Sequence, residues 1–332
     1  MKPKLSNGTI YKKTLTFSLR RFAFNFLMII LVAALSTGGF ILTDKLFGQG
    51  LYGLGAGIII GIVFVAILAH FFSYIFKAGQ IAVMTKAVTE DQMPDDVYGT
   101  GKAIVKERFL TVALYYAATS IIKAIFNELG RVITKIGGSV GGNSGNAVGS
   151  AIHIAINVVV GFLCDCCLGY VFYRKEKSAF KATCEGAVIF FKHGKTLLKN
   201  LGRMFGMGLA SLLVIGGAFS GIFYLIALQF QGPIMAISNE IKELGQNATE
   251  NQKVFEFLSN PTYLSISIAV LLGIILWTIV HSTFVRPFIL VGVLRNYMET
   301  AVEDIPDESE FSILEKHSRK YKKYKKKHPS EV

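Results

Sequence analysis

Six stretches of the chain are nearly free of charge for long enough to cross a hydrocarbon core, which takes about 20 apolar residues as a helix. They run Phe22–Thr43, Leu51–Phe76, Phe109–Phe126, Ala151–Tyr173, Met204–Phe230 and Tyr263–Phe284, with charged residues gathered between them. None alternates at the two-residue period of a barrel strand. Lipid offers the backbone no hydrogen-bond partner, so each is expected to be a helix that satisfies its own backbone. The expected fold is an all-α integral membrane protein of about six transmembrane helices. Residues 1–21 form a basic N-terminal segment, residues 22–300 a polytopic membrane domain and residues 301–332 a Lys-rich tail. The first span follows Lys2, Lys4, Lys12, Lys13, Arg20 and Arg21 and has no small-residue cleavage pattern after it, so it reads as a retained signal anchor.

Composition agrees, with 52% hydrophobic residues and a mean hydropathy of +0.48, which excludes an ordinary soluble domain. The charge distribution adds orientation. Of 35 Lys and Arg residues, 6 precede the first span, 5 lie between the second and third, 8 between the fourth and fifth, and 10 from Arg286 onward, leaving 6 elsewhere. Basic residues concentrate in cytoplasmic loops, so both termini are expected in the cytoplasm of a multi-pass cell-membrane protein. Cytoplasmic segments then fall at about residues 77–108 and 174–203, and external loops at about 127–150 and 231–262. The net charge of +13 becomes a matter of topology rather than nucleic-acid binding. The tail KHSRKYKKYKKK, Lys316–Lys327, is expected to meet anionic headgroups through Lys322, Lys323, Lys325, Lys326 and Lys327, at about 1 kcal/mol per basic residue. A partner protein or a second copy of the chain is the other occupant considered.

Between the fourth and fifth spans, Phe180, Cys184, Ala187, Phe191 and Leu198 recur at helical spacing, and Lys181, Lys192, Lys195 and Lys199 fall on another face. Such a helix is expected along the cytoplasmic interface, lysines at the headgroups and apolar side chains at the acyl boundary. A connecting helix packed on the bundle fits the pattern equally. Lys77–Glu90 is assigned the same interfacial role in the first unit. Met84–Asp96 (MTKAVTEDQMPDD) and Met298–Glu308 (METAVEDIPDE) each follow an apolar stretch, which points to a three-fold repeat of hairpin plus cytoplasmic segment. The middle unit shares the position but not the motif.

Asp165 is the leading candidate for chemistry, because a carboxylate inside a span costs roughly 2.5 to 3.5 kcal/mol on insertion scales and needs a partner, a proton or water. His70, His281 and Arg286 share its expected inner depth, and the four could form a proton relay or ion path. The competing reading pairs Asp165 with Arg286 as structural glue and leaves the histidines as caps near the interface. Cys164, Cys166, Cys167 and Cys184 read as reduced packing residues, since only Cys164 and Cys167 share a helical face and the spacing matches no zinc finger. Glu128, Arg131, Lys135 and Lys123 extend the third span as a solvated outer helix. Gly194–Thr196 and Gly99–Lys102 lack the full phosphate-loop frame, and Gly137–Ser150 reads as a flexible external loop. Asn247–Thr249 forms a glycosylation sequon in the second external loop. No cofactor or metal site is expected. No enzyme activity is expected either, because the spans hold no nucleophile and base, metal-ligand pair or paired carboxylates.

The order of a cysteine-rich span, the segment SAFKATCEGAVIFF (Ser178–Phe191) and a following Gly-rich span resembles choline-transporter-like membrane proteins. The chain departs from that family in lacking its large external region, and no site residue carries over. Two functions remain. One is a transporter of a small solute, ion or lipid, favoured by Asp165 and the glycines of Gly53–Gly61. The other is a membrane scaffold or complex subunit, favoured because Pro233, Pro261 and Pro287 sit at or beyond span ends and signal no broken helix.

Overall fold

The computed structural model describes residues 5–108, 145–197, 201–246, 252–317 and 319–327. All regular structure among them is helical. Four helices are long and apolar enough to cross a membrane: Asn7–Phe47, Tyr52–Glu90, Gly202–Glu243 and Pro261–Glu303. They contain the expected first, second, fifth and sixth spans. The fourth lies within a helix at Gly145–Tyr173, whereas the third, its charged extension, Lys199 and the sequon fall outside the described residues. Contacts divide the chain into two units, Met1–Met204 with Pro287–Val332, and Phe205–Arg286.

In the first unit, α1 (Asn7–Phe47) and α2 (Gly50–Glu90) form an antiparallel hairpin. At 1.5 Å per residue each is about 60 Å long, twice the ~30 Å of hydrocarbon. The Ser6 hydroxyl accepts the Thr9 N–H at 3.1 Å to start α1, and Gly48, at φ +65°, ends it in the left-handed conformation open to glycine. Across the hairpin, the backbones touch where Gly53 meets Gly39 and Thr43. An added Cβ on Gly57 would lie 2.7 Å from the Ser36 Cα. Small residues are the means by which helices in lipid gain contact without a hydrophobic drive.

Beyond the apolar stretch, α2 does not turn aside along an interface. It continues as one helix to Glu90, and Ala78, Ile81, Val83, Met84 and Ala87 are fully buried in protein. They meet α4 (Gly145–Tyr173), whose Cys166, Cys167, Leu168 and Tyr170 are equally buried. At Gly169 an added Cβ would lie 2.6 Å from the Thr85 hydroxyl and 2.8 Å from Leu294 of α11 (Arg286–Glu303). A larger residue there would have to displace the Thr85 and Leu294 side chains. The short α3 (Val97–Glu107) covers α1 and α2, started by Asp96, whose carboxylate accepts the Gly99 N–H at 2.8 Å.

The helix expected at the interface, α5 (Ala179–Leu197), has its apolar face packed in protein. Cys184, Ala187 and Val188 form a core with Phe311, Leu314 and Tyr321, with Phe180 and Phe191 against it. The physical reason is the C-terminal segment: α12 (Ser312–His317) and α13 (Arg319–Lys327) supply the apolar cover that lipid was expected to give. Two of the lysines expected at headgroups are ion-paired instead. Lys181 pairs with Glu308, and Lys192 lies 2.9 Å from Asp304 and 2.6 Å from Glu310. Lys322, Lys323, Lys325 and Lys326 are exposed on α13, and Lys325 lies 2.5 Å from Glu315.

The second unit is a hairpin in which α6 (Leu201–Ser211), a π-helical turn at Leu212–Gly216 and α7 (Gly217–Ala227) lead on to α8 (Gln231–Gln246). After α9 (Gln252–Leu258), α10 (Pro261–Val280) returns and passes into a second π-helical turn, His281–Val285. Asn260 caps α10 by accepting the Thr262 N–H at 3.0 Å. Gly273 lets α10 approach α7 so closely that a Cβ there would lie 2.7 Å from the Ser220 amide nitrogen. Ala227, Ile234 and Leu264 close the end of the hairpin.

Candidate functional site

Asp165 sits on α4 in the stretch buried by α2 and is only 4% exposed. Its carboxylate forms an ion pair with the Lys77 ammonium of α2, the first residue past the expected second span. This counter-charge comes from the neighbouring helix of the same unit. One turn back along α2, Ser73 accepts a hydrogen bond from Arg21 Nε at 2.6 Å. The carboxylate's burial cost is thereby offset by an adjacent ammonium.

Around this pair the four cysteines are buried thiols. Tyr297 of α11 donates to the Gly186 carbonyl at 2.9 Å, with Cys167 Sγ 4.0 Å away. Tyr170 donates to Glu185 at 3.2 Å, and Arg174 lies 3.7 Å from the same carboxylate. Burial pushes the Glu185 carboxyl up, and Arg174 opposes that shift. Among the described residues no three His, Cys, Asp or Glu side chains converge as a metal site would need. These groups read as a packed, hydrogen-bonded core.

His70 lies on α2, seven residues before Lys77. His281 and Arg286 belong to the second unit, where they bracket the π-helical turn of the expected sixth span. His281 Nδ1 is 2.9 Å from the Ser211 hydroxyl, at the last residue before the other π-helical turn. Trp277, one turn before His281, donates its indole N–H to the same hydroxyl at 3.2 Å, and the two rings are 5.2 Å apart. Ser211 also donates to the Gly208 carbonyl at 2.7 Å.

The hydroxyl has one hydrogen for two acceptors. With that hydrogen on Gly208, the imidazole Nδ1 must carry a proton and donate to Ser211; with Nδ1 bare, Ser211 must turn and release Gly208. Whether Nδ1 of His281 bears a hydrogen, in the neutral tautomer or the imidazolium, is thus coupled to the backbone beside a π-helical turn. Such turns are rare and occur frequently at functional sites.

Sequence reasoning found His281 and missed Ser211, Trp277 and Lys77. The chain's single Trp, four residues before a span histidine, was a readable sign of a shared helical face. Nothing in the sequence marked the π-helical turns, because neither contains proline. The choline-transporter-like resemblance rests on the residues quoted for it. No known protein family, curated protein or solved structure matches the chain.

Proposed function

We propose that the protein is a six-span cell-membrane transporter for a small solute, ion or lipid, with both termini cytoplasmic and Ser211, Trp277 and His281 contacting the transported species or a coupled proton. The observation that carries this reading is the pair of π-helical turns meeting at Ser211 and His281. Transporters use interrupted helices to free backbone groups at membrane depth, and these turns supply interruptions without proline. Arg286 closes the second turn and places a cation at the inner end of the path. Asp165, first considered as part of that path, acts in this reading with Lys77 as a structural pair. No catalysed reaction is assigned.

The three-fold repeat is proposed on matching environments. Met84 and Met298 are buried, as are Ala87 and Ala301, and each motif's Pro-Asp turn leads into a helical turn capped by Asp96 or Asp307. The exposed lysines of α13 are proposed to face anionic headgroups. The alternative, a scaffold or complex subunit, is favoured by one observation: α2, α4 and α11 meet in a packed core at Gly169.

The test is thermal unfolding of the detergent-solubilised protein against ions, amino acids, choline-like amines and lipids, beside His281→Gln. A ligand at a hundred times its Kd should stabilise the parent by about 2.7 kcal/mol, and the variant should not respond. No responding ligand, with a partner protein co-purifying stoichiometrically, would favour the scaffold.

A further inference from the structure

We infer that α12 and α13 form a displaceable cover on α5, which an anionic bilayer surface removes by taking the tyrosine face of α13 for itself. The uncovered apolar face of α5 then meets the acyl boundary. This rests on the headgroup contact proposed for the lysines of α13, and not on transport.

Four observations carry it. First, the apolar face of α5 suits two occupants. The spacing of Phe180, Cys184, Ala187 and Phe191 is that of a helix at a bilayer interface, yet Phe311, Leu314 and Tyr321 cover it. Exchanging those side chains for acyl chains keeps the face out of water, because lipid tails are as apolar as the core they replace. Second, α5 is within reach of the bilayer and is held from its other side. Phe190 and Phe191 pack against Leu163 and Cys164, inside the expected fourth span, while Tyr297 bonds the Gly186 carbonyl and Tyr170 bonds Glu185. Removing the cover therefore leaves α5 in place.

Third, the edges of the cover are fastened weakly. Lys181 pairs with Glu308, Lys192 with Asp304 and Glu310, and His193 Nε2 lies 2.7 Å from Asp304. Each of these carboxylates keeps solvent contact, and such pairs add little to stability. Fourth, seven of the nine residues of α13 are basic. Lys325 pairs with Glu315, whereas Lys322, Lys323 and Lys326 are exposed and have no acidic partner among the described residues. An anionic surface relieves that repulsion, each basic residue adding to the attraction. Tyr321 makes covering and binding exclusive. Its ring is fully buried in the α5 core, and it is also the part of α13 that a bilayer interface takes in, with lysine stems splayed toward the headgroups.

The experiment is hydrogen exchange on the purified full chain in nanodiscs of phosphatidylcholine, with and without phosphatidylglycerol. Residues 305–317 report the cover, residues 319–327 the headgroup contact, and the buried stretch of α4 the integrity of the fold. In the anionic discs, exchange across 305–317 should rise about tenfold and that across 319–327 should slow, with α4 unchanged. Lys322→Gln/Lys323→Gln/Lys326→Gln should erase both responses and leave 305–317 protected. Tyr321→Ala should release 305–317 in both compositions; protection retained in that variant overturns the cover. Slower exchange across 319–327 with 305–317 unchanged leaves the headgroup contact standing and overturns the displacement. If neither segment responds, both fall. Faster exchange in α4 alongside 305–317 is general loosening and overturns the cover as a separate device.

Discussion

Lys77 and Asp165 share one ion pair with unequal exposure, the lysine side chain at 23% and the carboxylate at 5%. Removing either charge takes this counter-charge from the other in a packed site, so Asp165→Ala or Lys77→Met alone should destabilise the protein by about 3 kcal/mol, the lower end for a buried pair because Lys77 retains some water. The double variant Lys77→Met/Asp165→Leu should recover most of that loss. Thermal unfolding of the three in detergent checks this, and an undiminished loss in the double variant would show that Asp165 does more than answer Lys77. The sequence made Asp165 conspicuous because a carboxylate in an apolar run is rare. It left Lys77 unremarked because a lysine just past a span end is ordinary, and their pairing depends on how α2 and α4 register.

Helices carry the next set of consequences. A π-helical turn holds one residue more than an α-helical path, so deleting Val214 should regularise the helix with little rotation of Ser211 relative to α7. The interruption beside Ser211 would close with little change in helix content. Loss of the ligand response with retained circular dichroism is the expected outcome. At α5, hydrogen bonds from Lys192 hold the Asp304 and Glu310 carboxyls below their ordinary values, and Lys181 does the same for Glu308. Their stabilising share is therefore fully present above the usual carboxylate range and disappears as pH falls through the lowered values. Hydrogen exchange across residues 305–317 should accelerate in acid, below about pH 4, and raised salt should mimic part of the effect because these pairs are mostly exposed. The amphipathic pattern of α5 was legible in the sequence. What covers its apolar face was not, because periodicity identifies a face and not its occupant.

Over the whole molecule, the proposed orientation makes one direct prediction. The native thiols are buried, so background labelling by a membrane-impermeant maleimide should be low. Gln49→Cys, in the α1–α2 turn, should label in intact cells, and Ser309→Cys only after permeabilisation; the reverse pattern would invert the topology. By itself the sequence determined the membrane class, the helical architecture and four of the long apolar helices, because lipid imposes length, apolarity and internal hydrogen bonding on any segment that crosses it. The tertiary structure decided the partners: Lys77 for Asp165, Ser211 and Trp277 for His281, and the C-terminal helices for the apolar face of α5. Each is a contact between distant segments, set by close packing at glycines and by helical register, which a one-dimensional pattern does not contain.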